Sequence, residues 1–399
     1  MWSYRRFPEQ LEPTAFAERL DALRTETGSD VLDLTFSNPS RDFRDHRRDM
    51  SRHLEAAAGE LSDVPYEPDP HGLSSARQAV TDYYRTRGAS VPPSRLSLSA
   101  STSEAYTWLA KILADADDQI VIPAPSYPLF DHLLSLEAVE TIPYRFDYDG
   151  AWHLDAGHLR RRLQEAHRPA AIFAVSPNGH VLSDADLARL EKLARAFEVP
   201  LVVDEVFLDF GLETADPPRS VLARDRAADD PPLTFVLGGL SKAAGLPGAK
   251  LGWIAVDGPD EAVDTAVSRL AFVADTFLSA STVTQLAAPD ILGSLEPYQR
   301  QVRERLATNL EVLDDVLERE GALSRYPVEA GWYAIVRAPS FVDEASFALG
   351  LLDEHNVLVQ PGFFYDLEPD GHLVVSLLTA PDAFADGVDR LVEALGRRV

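Results

Sequence analysis

Lys242 stands where a lysine could act as a nucleophile. A short apolar run, Phe235 to Leu237, breaks at Gly238-Gly239 and delivers Ser241-Lys242 into a Gly- and Pro-rich turn, after which a second apolar run begins at Leu251. A lysine in an arbitrary turn is by default a solvated surface charge. Set between two buried strands it is poorly solvated, and desolvation lowers the amine's pKa toward the range where it attacks carbonyl carbon. Upstream, Pro200-Leu-Val-Val-Asp204-Glu205 is another buried-strand pattern, and it ends in a carboxylate. Alone, Asp204 would be an ordinary strand-end acid capping the next element. In combination they form a pair: an amine able to form a Schiff base and an acid able to keep a pyridinium nitrogen protonated, the two protein groups that pyridoxal phosphate chemistry requires.

The elements that must position this pair follow from the hydrophobic pattern. Short apolar strands are expected at Leu96–Ser99, Gln119–Ile122, Val139–Pro143, Ala170–Val175, Leu201–Asp204, Thr234–Leu237 and Leu251–Val256, with helical stretches such as Ser103–Leu113 and Ser183–Phe197 between them. That alternation describes a mainly parallel sheet covered on both faces. Such sheets bind ligands at the carboxyl ends of their strands, which is where both residues fall. After about residue 290 the pattern changes to a long amphipathic helix (Pro297–Glu320), a strand at Trp332–Val336, a helix near Phe341–His355 and a final helix at Asp382–Leu395. Ser99-Ala-Ser-Thr-Ser-Glu104 follows a strand and opens a helix. Its free backbone N–H groups and hydroxyls suit an anion, although Ser101 and Glu104 also read as a simple capping box.

On these motifs the sequence resembles the fold type I aminotransferases, the class I/II group that includes aspartate aminotransferase, over almost its whole length. The resemblance implies an α/β fold: a large domain with a mainly parallel seven-stranded sheet over residues 46–290, and a smaller α+β domain made of 1–45 and 291–399. It implies pyridoxal 5'-phosphate held by Lys242 as a Schiff base and by Asp204 at the ring nitrogen. Ser101, Thr102 and Ser103 match the phosphate turn, together with Ser241 and Lys250 after the strand. Tyr127, in Pro123-Ala-Pro-Ser-Tyr127-Pro, matches the ring that stacks on the pyridine. Asn178 matches the donor to the phenolic oxygen, and Tyr66 the residue that reaches the partner's cofactor phosphate, so a homodimer is implied.

Five positions depart from the family. Its Asn-Pro-Thr-Gly turn is Ser176-Pro-Asn178-Gly-His180 here, and its second phenolate donor, a tyrosine, is Phe207. A phosphate-binding serine is Gly239. The arginine eight residues after the lysine is Lys250, which keeps the charge and loses the bidentate fork. The arginine that clamps the substrate's α-carboxylate is Val374, in Gly371-His-Leu-Val-Val-Ser376. Arg41 is the leading expected replacement, with Asn38 beside it in the loop that approaches the substrate, and Arg337 is a second candidate.

The expected activity is transamination between an amino acid and a 2-oxo acid. The rivals are another reaction at the same α-carbanion (β-elimination, cyclisation or oxidation) and a non-catalytic member of the fold. A formal net charge of −27 argues against nucleic acid or an anionic membrane as partner. There are no cysteines, so neither disulfides nor a thiolate metal site is expected. The N-terminal arginine pair is followed by no apolar stretch, and no run has the length of a membrane span, so the expected location is cytoplasmic.

Overall fold

The computed structural model describes all residues except 1–5, 8–14, 28–30, 126–128, 215, 224–230, 321–322, 339–342, 369–370 and 397–399. Its centre is an eight-stranded sheet in the order Leu96–Ser99, Gly252–Asp257, Thr234–Gly239, Leu201–Asp204, Pro169–Val175, Gln119–Ala124, Glu140–Tyr148 and Trp152–Leu154. From Thr234–Gly239 to Glu140–Tyr148 neighbouring strands are parallel, Gly252–Asp257 is antiparallel to both its neighbours, and Trp152–Leu154 is an antiparallel edge. The seven expected strands are all present. The eighth, Trp152–Leu154, is the correction: three residues with no alternation carry no strand signal, and this one exists because it closes back on Phe146–Tyr148.

Alternation along the strands divides the core. Val121, Ile172, Val203, Val236 and Trp253 face one helical layer, and Ile122, Phe173, Val202, Phe235 and Ile254 face the other. Two-sided burial is why these strands read as continuous apolar runs. Glycine matters at the sheet's crowded end. A Cβ on Gly238 would come within 2.6 Å of Trp253 Nε1, and one on Gly252 within 2.9 Å of the Ser101 carbonyl carbon.

A separate core gathers Leu34 and Phe43 from the N-terminal part with the helices Glu296–Glu320, Glu344–His355 and Pro381–Gly396. It supports a four-stranded antiparallel sheet in which Tyr333–Arg337 lies against His372–Ser376, with Ile335 opposite Val374. Ala334, Val336, Leu373 and Val375 point into that core. The alternate residues Ile335, Arg337, His372, Val374 and Ser376 therefore fall on the opposite face, because successive strand side chains point to opposite faces, while Tyr333 at the strand's start still packs against the core. The N-terminal part is tied to this sheet where Ser376 N–H donates to Leu34 O and the Ser376 hydroxyl donates to Phe36 O, and Leu32 and Asp33 pair with Val357 and Leu358 in a separate two-stranded sheet. Helix and strand limits otherwise fall within a few residues of the sequence expectation, apart from the strand expected at Val139–Pro143, which runs on to Tyr148. Of the helix expected near Phe341–His355, the first two residues lie outside those described.

Candidate active site

Lys242 lies in a one-turn helix, Leu240–Ala243, immediately after the strand Thr234–Gly239. Asp204 ends the neighbouring strand, opposite Leu237. The residue Lys242 keeps some exposure, but its amine is drawn out of bulk water: Nζ lies 4.7 Å from the ring centroid of Trp332 and 5.5 Å from that of Phe207. Among the described residues its one hydrogen bond is long, 3.4 Å to Ser37 O. Burial lowers the ammonium pKa from 10.5 to about 8, and the charge of Asp204 opposes that shift. An amine near its titration point at neutral pH, with little to satisfy it, is prepared to be a nucleophile.

Asp204 is buried and supported. Its Oδ2 accepts from Tyr106 Oη at 2.5 Å and its Oδ1 from Val206 N at 2.9 Å. Burial raises its pKa, while Tyr106, Val206 N–H and the Lys242 charge favour the ionised form. A carboxylate held this way in low dielectric seeks a cationic partner.

The turn at Ser101 adjoins the same spot. Ser101 caps the helix Thr102–Leu113 by accepting from Glu104 N at 3.1 Å, and Glu104 reaches back to Ala100 N at 2.6 Å. The capping box is therefore real, and it leaves the Thr102 and Ser103 N–H groups with no acceptor among the described residues, at the positive end of a helix dipole. A Cβ on Gly239 would lie 3.1 Å from Leu251 O and 3.8 Å from Thr102 Cγ2. The close backbone at 3.1–3.2 Å sets the lysine turn tightly against the strand Gly252–Asp257, with the helix N-terminus in ordinary contact beyond it. Ser241 is half-buried with no hydroxyl partner among the described residues. Lys250 is exposed, left-handed at φ 55°, and without an ion pair among them.

Asn178 donates from Nδ2 to Pro125 O at 3.2 Å and from its backbone to His180 O at 2.9 Å. Tyr127 lies outside the described residues. Tyr66 is 71% exposed, as a residue serving another subunit would be. Asn38 is exposed and its Oδ1 accepts from Ser40 N; Arg41 is exposed with its guanidinium 5.3 Å from the Phe36 ring centroid. Their loop meets Lys242 at Ser37, whose carbonyl accepts from Nζ. Val374 is 2% exposed, on the sheet face turned away from the small core.

Three participants escaped the sequence reading. Tyr106 lies two residues past the Ser99–Glu104 motif, one helical turn beyond Thr102, yet nothing local links it to Asp204. Trp332 was read only as part of a strand. His180 is fully buried, held neutral with its pKa lowered to about 4 by desolvation, and its Nδ1 is 3.2 Å from Asn178 O.

Comparison with known proteins agrees with this geometry. The model of the family described as aminotransferase class I and II matches residues 29–394. The chain is 26% identical over 388 residues to the glutamate-pyruvate aminotransferase AlaA of Escherichia coli K12, covering 92% of this chain and 90% of that one. It is 28% identical over 338 residues to an alanine aminotransferase of Mycobacterium tuberculosis H37Rv, covering 81% and 76%. In structure it is similar to a Thermus thermophilus aspartate aminotransferase double mutant, with a TM-score of 0.83 at 22% identity over 99% of this chain and 100% of that one. The chain belongs to the aminotransferase class I and II family. It is a fold type I aminotransferase, and its cofactor is pyridoxal 5'-phosphate. The donor set fits that group: an amine with a lowered pKa and, among the described residues, a buried carboxylate with no cation at hydrogen-bond distance and N–H groups without acceptors at a helix N-terminus.

Proposed function

We propose that Lys242 is the amine that binds the cofactor covalently and then carries the substrate's α-proton, with alanine and glutamate as amino donors and their 2-oxo acids as acceptors. The cofactor, when bound, supplies an electron sink for the negative charge left at the substrate's α-carbon. Asp204, oriented by Tyr106 and Val206 N–H, holds a proton at the ring nitrogen. Thr102, Ser103, Ser101, Ser241 and Lys250 hold the phosphate, Asn178 donates to the phenolic oxygen, and Tyr127 stacks on the ring. Phe207, lacking a hydroxyl, leaves that oxygen with one donor fewer. Trp332 and Phe207 keep water from the lysine, so its amine stays basic enough to accept a proton and desolvated enough to release it.

The observation that carries this reading is the pairing of a desolvated amine, its pKa lowered to about 8, with a buried carboxylate beside an unsatisfied helix N-terminus. The donors alanine and glutamate come from the relatives' names, as does pyruvate. Asn38 and Arg41, on the loop that crosses Lys242, are proposed substrate contacts. The enzyme is proposed to act in the cytoplasm as a homodimer, with Tyr66 entering the partner's site. The exposed apolar residues Tyr66, Phe277 and Leu278 support that surface, and Leu278 and Tyr66 line one common cleft.

The test is a screen of amino acids against the holoenzyme, following the cofactor's absorbance as it takes up the amino group. Addition of pyruvate or 2-oxoglutarate should then restore the starting spectrum. Conversion without restoration would favour elimination or oxidation. No conversion with any amino acid would refute the reading.

A further inference from the structure

We infer that Gln299 and His46 are positioning residues for Lys242, holding the carbonyls of the two residues that follow it. The inference rests on the reading of Lys242 as the reacting amine and names what fixes its turn. Gln299 Nε2 donates to Ala243 O at 3.0 Å, and His46 Nε2 donates to Ala244 O at 2.6 Å. A helix of one turn leaves its last carbonyls without intrahelical partners. Within the turn, Leu240 O accepts from Ala244 N and Leu246 N, and Lys242 O from Gly245 N; Ala243 O and Ala244 O are served from outside it. On the other side of the lysine, Leu240 N donates to Leu251 O at 3.0 Å, just ahead of the neighbouring strand. Lys242 therefore lies between an anchor to the central sheet and an anchor to two helices.

Both donors are themselves buried and fixed. Gln299 Nε2 also donates to Asp209 Oδ2 at 2.8 Å. Both of its partners are acceptors, so the amide nitrogen faces them and its two hydrogens are used. Asp209 in turn accepts from Arg87 Nε at 2.7 Å and from Tyr83 Oη at 3.0 Å. A carbonyl only accepts, so His46 carries its proton on Nε2, and its ring stacks on Tyr298 with centroids 4.2 Å apart. Burial lowers the His46 pKa, so this donor does not titrate in the range where the lysine does. The turn has no room to slide over this surface: Gly245 is left-handed at φ 63°, and a Cβ there would come within 2.6 Å of the Tyr298 ring. Tyr298 and Phe43 belong to the second core and meet edge to face. The lysine turn is thus held from the second core as well as from the sheet. A reacting group displaced by about 1 Å loses on the order of 100-fold in rate.

Two readouts test this on the full chain. Without cofactor, the pH midpoint of Lys242 acylation, read by mass spectrometry of its peptide, reports the amine's surroundings: burial lowers it and the facing charge of Asp204 raises it. With cofactor, kcat and KM for amino transfer report the lysine's placement. Gln299→Met and His46→Phe keep the bulk and remove the donor. Each should raise the acylation midpoint toward the ordinary lysine value as the loosened turn admits water. Each should also lower kcat by about tenfold or more with little change in KM. His46→Gln can place an amide N–H near the Nε2 position and should restore most of both. Tyr83→Phe removes a bond to Asp209 but none to the turn, so it should lower stability in urea with midpoint and kcat unchanged. The inference is overturned if the variants lacking a donor lose stability only, or if Tyr83→Phe shifts the midpoint as far as they do. Should Gln299→Met fail to fold, the His46 pair decides alone, and equal behaviour of His46→Phe and His46→Gln overturns the inference. Amino transfer retained by Lys242→Ala would instead refute the reading of Lys242, and the acylation midpoints, which need no turnover, would still stand.

Discussion

At the scale of single residues, the pairing of Lys242 with Asp204 was legible because each follows a buried strand, and strand ends are where such sheets present chemistry. Lys242→Ala should abolish amino transfer, with far-UV circular dichroism unchanged; residual turnover near the parent's would assign the chemistry to another lysine. The lowered pKa gives a second measurement. In the cofactor-free protein, acylation of Lys242 should rise with pH through a midpoint near 8, well below the 10.5 of a free lysine. The sign for stability follows: between those values the unfolded chain holds a proton the folded chain has lost, so this group makes stability rise with pH across that window. Below pH 8 both states are protonated and the full burial penalty remains. Tyr106 was not legible, because its bond to Asp204 spans 98 residues of sequence. Tyr106→Phe removes one hydrogen bond to a carboxylate, worth roughly 1.5–3 kcal/mol. Cofactor dissociation measured by dialysis should tighten or loosen with Asp204's charge: loosened about tenfold or more in Tyr106→Phe, and further in Asp204→Asn. An unchanged constant in both would remove the ring-nitrogen role.

At the scale of elements, periodicity recovered the strands that are buried on both faces and the helices that cover them. It missed Trp152–Leu154, whose strand character comes from pairing rather than pattern. It also could not tell a capping box from an anion site at Ser101, and the structure contains the capping box with two neighbouring N–H groups left over. The packing of strand on helix N-terminus is tight there. A side chain on Gly252 meets the backbone at Ser101 and Thr102, which cannot rotate away as a flexible side chain would. Gly252→Ala should therefore cost about 1–3 kcal/mol in urea unfolding, the scale of overpacking. It should also weaken phosphate affinity by displacing the turn. A variant as stable as the parent would show that the turn moves freely.

At the scale of the whole molecule, the alternation of strands and helices, not composition, pointed to a large α/β protein, and the net charge bore only on partners. What composition could not indicate is which surface meets a partner. Tyr66, Phe277 and Leu278 are exposed at 71%, 51% and 37%, more apolar surface than a solitary subunit has reason to present in one region. If the proposed homodimer uses this surface, Leu278→Asp combined with Phe277→Ser should shift the protein to monomer by sedimentation and remove activity. Activity retained by a monomer would make Tyr66 a surface residue only.

The position of Trp332 has an optical consequence. Its indole is fully buried and lies 4.7 Å, ring centroid to nitrogen, from the lysine amine, while Trp108, Trp152 and Trp253 belong to other parts of the fold. A chromophore attached at that amine will quench Trp332 more than the other described indoles, because energy transfer falls steeply with distance. A protein with Trp332 as its only tryptophan should then dim when the cofactor is loaded, so the enzyme's own fluorescence reports occupancy of Lys242.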